Sequence, residues 1–98
     1  MNIEKKLEGT TLAIALEGRL DTTTSPDLEE ALAASLDGVT ALVFDFTKLD
    51  YLSSAGLRVL LSAQKVMNKQ GSMTVRNAKP EILEIFEVTG FSDILNIE

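Results

Sequence analysis

Two adjacent serines, then an alanine and a glycine, precede a strongly apolar run in "YLSSAGLRVLL", Tyr51 to Leu61. Of all the residues in this chain, Ser53 and Ser54 are the ones whose type and spacing could do chemistry. A serine can act as a nucleophile, be the place where a protein is modified, or cap a helix. The first role needs a base within hydrogen-bond reach. The chain has no histidine and no cysteine, so only Asp45, Asp50 or a lysine could activate Ser53 or Ser54. The capping role is worth about 1 kcal/mol. Gly56 complicates it, because glycine inside a helix costs about 1 kcal/mol against alanine. Either the first turn is closely packed, or Ala55 and Gly56 leave the helix entrance bare, so that another molecule can reach a hydroxyl and the free N–H groups.

Other polar groups are weaker candidates. Asp21, Thr22, Thr23 and Thr24 form a small-residue loop ahead of a helix, where they can serve as a polar cap. Asp45, at the end of an apolar strand, can bond to the loop holding the serines or face water. "SAQK", Ser62 to Lys65, matches the Ser-x-x-Lys of serine acyl-enzymes. It falls on the exposed face of a helix without a companion motif, and isolated tetrapeptides of this kind are common. A phosphate at the helix entrance would suit a nucleotide, yet no Gly-rich loop with a following lysine supports that role.

Composition removes further classes. Nine basic and fifteen acidic residues give a net charge of −6, which repels a phosphate backbone, and no Lys or Arg cluster offers a local exception. Without cysteine or histidine the common zinc ligands are missing, and no cofactor or metal is expected. "MNIEKKLEGT" lacks the apolar segment of a signal peptide, and no apolar run approaches the roughly 20 residues that span a bilayer. A cytoplasmic protein without membrane insertion is the expectation.

The elements that position these residues can be read from periodicity. Residues 1–98 are expected to form one domain, an independent protein with a single core. "MNIEKKLEG" alternates, with Ile3, Lys5 and Leu7 on one side, as an edge strand would; "TLAIALEG" completes a hairpin after the Gly9-Thr10 turn. "GRLDTTTSP" reads as a loop of about six residues. Ser25 is placed to cap a helix with Pro26 at its first position, and Asp37-Gly38 ends it. "VTALVFDF" reads as a central strand buried on both faces. Ser54 to Gly71 is the longest helix: Leu57, Val59, Leu60, Leu61, Ala63, Val66 and Met67 form a broad apolar stripe, opposite Arg58, Ser62, Lys65 and Lys69. "SMTVRN" is a short strand, "KPEILEIFEVTG" a helix closed by Gly90, and "FSDILNIE" a turn with a short extended piece. The order β-β-α-β-α-β-α predicts an α/β fold, a mixed sheet of four or five strands with helices packed on it and the later strands parallel.

Three stretches in this order carry a family resemblance. "LVFDFTKLDYLSSAGLRVLLSAQKVMNKQG" resembles the central signature of STAS domains, the family of bacterial anti-sigma factor antagonists. "LEGRLDTTTSPDLEEAL" is similar to the family's early Gly-x-Leu-Asp loop, and "VTGFSDILNI" to its C-terminal turn. The resemblance covers nearly the whole chain and implies the STAS fold.

It also implies a function. In the antagonists, the serine two residues before the glycine is phosphorylated by a partner that is both anti-sigma factor and serine kinase. That position is Ser54 here, with Ser53 the second choice; Ser53 stands where the antagonists commonly carry aspartate. The resemblance implies a non-catalytic protein that binds the anti-sigma factor through Asp21, Thr22, Thr23, Ser53, Ser54, Ala55, Gly56 and Arg58, releasing a sigma factor until the serine is phosphorylated. A monomer is expected. The alternatives are a STAS module that is never phosphorylated, serving a signalling scaffold or lipid-transport complex, and a small serine hydrolase.

Overall fold

Alternation of apolar and polar residues sets the sheet, and the computed structural model, which describes residues 1–98, shows where that alternation holds and where it slips. The elements are β1 (Asn2–Glu8), β2 (Thr11–Leu20), α1 (Ser25–Ser35), β3 (Ala41–Leu52), α2 (Ser54–Gln70), β4 (Ser72–Arg76), α3 (Pro80–Thr89), a 3-10 turn (Phe91–Asp93) and β5 (Asn96–Ile97). They form a mixed five-stranded sheet in the order β1-β2-β3-β4-β5. β1 is antiparallel to β2, and the remaining pairs are parallel. This is the expected α/β architecture, with β1 on an edge.

One face of the sheet is covered and the other is open. Leu12, Leu42 and Met73 lie in register across β2, β3 and β4, as do Ile14, Phe44 and Val75, and all six are buried. The same cluster takes in Leu28 and Leu32 of α1, Leu57, Leu60 and Met67 of α2, and Ile82 and Phe86 of α3. The three helices therefore share one side. Phe46 links the layers, its ring 5.9 Å from that of Phe44 and 6.4 Å from that of Phe86. On the other face, Val43, Asp45 and Thr74 are only half-buried and Ala13 is exposed. The reading of the central strand as buried on both faces is thus corrected: Val43 faces an uncovered side. β1 is marginal to the core as well, since Ile3 only packs against its edge and Leu7 is exposed.

β2 and β3 run further than periodicity suggests. Gly18 sits inside β2 with φ of +103°, in the region that favours glycine, next to a register shift. The true loop shrinks to Asp21–Thr24. In β3 the register with β2 passes from Ala15↔Asp45 to Glu17↔Lys48, and from Gly18↔Leu49 to Arg19↔Tyr51. Each step inserts an extra β3 residue, a bulge, which re-aims the chain. Beyond Phe46 the buried positions are therefore Leu49 and Leu52, three apart, and simple alternation ends although the strand continues.

The helix ends show tight geometry. α2 stops at Gly71, where a Cβ would lie 1.8 Å from the Thr40 carbonyl oxygen. That carbonyl instead accepts a hydrogen bond from the Ser72 N–H at 3.0 Å. α3 closes on Gly90 in the left-handed conformation, as its sequence indicates.

Candidate functional site

The N-termini of α1 and α2 lie side by side at one end of the sheet, tied together where β2 and β3 finish. The Ser53 N–H donates to the Leu20 carbonyl at 2.9 Å, fixing the start of α2 against the end of β2. Leu20 and Leu52 pair in register just before both chains turn into their helices.

Ser53 is the N-cap of α2, its Oγ accepting from the Gly56 N–H at 3.4 Å and its carbonyl from the Leu57 N–H at 3.0 Å. Ser54 is the first helical residue and is exposed. The two serines therefore divide the alternatives between them: Ser53 is engaged by the backbone, and Ser54 faces outward. Gly56 is buried, and a Cβ there would meet Leu52 Cδ1 at 2.7 Å and Leu20 Cγ at 2.8 Å. Close packing explains this glycine. The expectation that it leaves the helix entrance bare is corrected, because its missing side chain points into the core.

The loop before α1 is knitted to itself. Asp21 Oδ1 accepts from the Thr23 hydroxyl at 2.8 Å, the Thr23 N–H at 3.0 Å and the Thr24 N–H at 3.1 Å. The Thr24 hydroxyl accepts from the Asp21 N–H and donates to the Arg19 carbonyl, both at 2.8 Å. Ser25 is buried, its hydroxyl donating to the Asp21 carbonyl at 2.5 Å. The N-cap position belongs to Thr24 and not to Ser25, so Pro26 stands second in the helix. The Thr23 hydroxyl, helped by the N–H groups of Thr24 and Thr23, holds the Asp21 carboxyl below its usual range. Arg19 reaches Asp21 Oδ2 at 3.6 Å and lays its guanidinium 4.1 Å from the Tyr51 ring centre.

A shallow cavity between the two helices brings together Thr22, Ser25, Pro26 and Glu29 on one wall and Ala55, Arg58, Val59 and Ser62 on the other. It continues as an apolar groove floored by Leu32, Leu36, Val59 and Ala63, with Val66 at its edge. Val66 is thus 40% exposed despite its place in the apolar stripe of α2, while Gln64 takes a buried position among the apolar residues. Of the partner-binding residues that the resemblance implies, Thr22, Ala55 and Arg58 line this cavity. Ser25, Pro26, Glu29, Val59 and Ser62 are additional members, and the sequence signal that places Ser62 here was its helical spacing from Arg58.

Asp45 lies elsewhere. It sits on the open face of β3, accepting from the Thr47 hydroxyl at 2.6 Å, the Thr47 N–H at 3.0 Å and Asn77 Nδ2 at 3.1 Å. The Thr47 hydroxyl and N–H, with Asn77 and Lys48, hold its carboxyl low. It does not bond to the serine loop. Asp50 pairs with Lys79. Neither carboxylate is hydrogen-bonded to Ser53 or Ser54. No group of three or more Asp or Glu side chains is arranged to hold a metal ion, and no helix is long and apolar enough to cross a membrane.

Comparison with known proteins agrees with this architecture. The family model described as the STAS domain matches residues 2–98. BtrV of Bordetella bronchiseptica, named as an anti-sigma factor antagonist, is 39% identical over 94 residues, covering 94% of this chain and 80% of its own length. Among solved structures, an anti-sigma factor antagonist from Mycobacterium paratuberculosis has a TM-score of 0.87 at 24% identity, over 98% of this chain and 83% of that one. SpoIIAA in its unphosphorylated form, also an anti-sigma factor antagonist, has a TM-score of 0.86 at 18% identity, covering 99% and 88% of the two chains. SpoIIAA of Bacillus in the phosphorylated form has a TM-score of 0.78 at 18% identity, covering 99% and 91%. With a family model spanning residues 2–98, a relative of this similarity and the sheet and helix arrangement described above, the chain belongs to the STAS domain family.

Proposed function

We propose that this protein is a non-catalytic, single-domain anti-sigma factor antagonist of the cytoplasm. As a monomer it binds an anti-sigma factor that is also a serine kinase, frees a sigma factor while Ser54 is unmodified, and releases the partner when Ser54 is phosphorylated. The observation that carries this reading is the contrast at the start of α2, where Ser53 caps and the Ser54 hydroxyl is exposed beside a cavity lined by Thr22, Ala55 and Arg58. The names of the relatives support it, as does a structural neighbour solved in both unphosphorylated and phosphorylated forms.

The physics suits a switch. A phosphate adds about −1.5 to −2 charges, and the first turn of a helix is where the macrodipole tolerates negative charge best. The fold survives, and the effect falls on whatever docks there. Turning a complex from about 99% formed to 99% dissociated takes roughly 5.5 kcal/mol of differential binding, which a phosphate repelled and desolvated at an interface can supply. Ser53, at the position where the antagonists commonly carry aspartate, favours a second reading: a module that is never phosphorylated and docks through the same surface.

Mass analysis of the protein purified from its own cells, with fragmentation across Tyr51 to Lys65, tests the proposal. A phosphate on Ser54 is the expected result. A phosphate on Ser53 moves the switch by one residue. Only unmodified peptide, in both growing and stressed cells, overturns the phosphorylation switch in favour of the second reading.

A further inference from the structure

We infer that Arg58 is the internal receptor for a phosphate on Ser54. Modification would draw the guanidinium back across one helical turn onto the phosphate, so that the docking surface loses an exposed cation in the same event that gives it an anion. This rests on the reading of Ser54 under Proposed function and adds how the modification would act.

Ser54 and Arg58 stand four residues apart in α2, and both are exposed. Side chains at that spacing share a face, and helical side chains lean toward the N-terminus, so an arginine covers the turn before its own Cα. An acid placed N-terminal to a base at this spacing is the favourable order. Unmodified Ser54 offers the arginine no charge.

Arg58 has no other claim on it. The ion pairs of the chain are Lys6–Glu8, Arg19–Asp21, Arg76–Glu98 and Lys79–Asp50, none of which includes it. There is no acidic residue in the first turn of α2 to compete on the same helix. From the neighbouring elements, Asp21 is occupied by Thr23, Thr24 and Arg19, and Asp50 by Lys79. Asp27 lies in the first turn of α1. Glu29 of α1 lines the same cavity as Arg58 without forming an ion pair with it. A guanidinium fork matches a phosphate with two parallel charge-assisted bonds, a geometry that lysine lacks.

The test is phosphorus NMR on full-length protein carrying phosphoserine at position 54, installed by genetic encoding so that no kinase is needed. Four proteins are titrated: wild type, Arg58→Gln, Arg58→Lys and Glu29→Gln. The second phosphate ionisation, ordinarily near pH 6, is expected lower in wild type than in Arg58→Gln by about 0.3 unit or more. Arg58→Lys should lie between them, and Glu29→Gln should match or deepen the wild-type shift. The Arg58 Nε–H resonance should move through the same titration, and should stay fixed in unmodified protein. Coincident curves for wild type and Arg58→Gln, with a static Nε–H signal, would overturn the inference. Because the phosphate is installed directly, absence of this modification in cells would leave the result standing, and a failed clamp would leave cellular phosphorylation intact.

Discussion

The two helix entrances at this end of the molecule use the same residue types in opposite ways. Before α1, the hydroxyls of Thr23, Thr24 and Ser25 are all engaged with the Asp21 carboxylate or with the backbone of its turn, and Ser25 is buried. Before α2, one long bond from the Gly56 N–H to Ser53 is the whole side-chain cap, no acid stands in the first turn, and Ser54 is left exposed. Hydroxyl residues at a helix start are therefore not equivalent. Those of the first loop hold the chain in place, while Ser54 stands exposed at the first position of its helix. What fixes the entrance of α2 is packing: Gly56 lets the first turn close on Leu20 and Leu52.

That contrast can be broken most forcefully at Gly56. Gly56→Val should destabilise by about 3 kcal/mol, from overpacking against Leu20 and Leu52, measured by urea denaturation. A near-neutral result would mean that the α2 entrance is loosely packed after all. Next in size, Thr24→Val removes a hydroxyl that both accepts from Asp21 and donates to Arg19, and should cost about 1–2 kcal/mol in the same assay.

Acid sharpens the comparison further. The Asp21 carboxyl is held low in the folded protein, so it contributes stability that is present above its unfolded value near 3.9 and is lost as pH falls through the lower folded value. Asp21→Asn should flatten that acid limb of the urea midpoint against pH; an unchanged limb would show that the turn does not need the charge. The smallest effects belong to the serines of α2. Ser53→Ala should cost about 0.5 kcal/mol, the low end for a cap with so long a bond, and Ser54→Ala should stay within about 0.5 kcal/mol of wild type. A large loss at Ser54 would reveal a structural role that the exposed hydroxyl does not display.

Much of this organisation was legible in residue order. Pro26, Pro80, Gly71 and Gly90 mark helix limits because their backbone chemistry acts locally, and alternation through Ile14 and Phe44 places the strands. The pairing of small hydroxyls with Gly56 and an apolar run singled out the candidate site. Local pattern failed where neighbours intervene. The bulges that carry β3 from Phe46 to Leu52 are a matter of register against β2, so the sequence shows only a lapse in alternation. Val43 looks like a core residue, and only the gathering of all three helices on the opposite face leaves it half-covered.

The sequence by itself determined the element order, the helix boundaries set by proline and glycine, and the placing of two serines at the start of the longest helix. It did so because propensity, capping and periodicity are properties of neighbouring residues. Tertiary structure alone decided which serine is free, since that depends on the Leu20 carbonyl anchoring Ser53 and on the side chains that close over Gly56. It also decided that Thr22 and Arg58, far apart in the chain, line one cavity, because only the pairing of β2 with β3 brings the two helix entrances together.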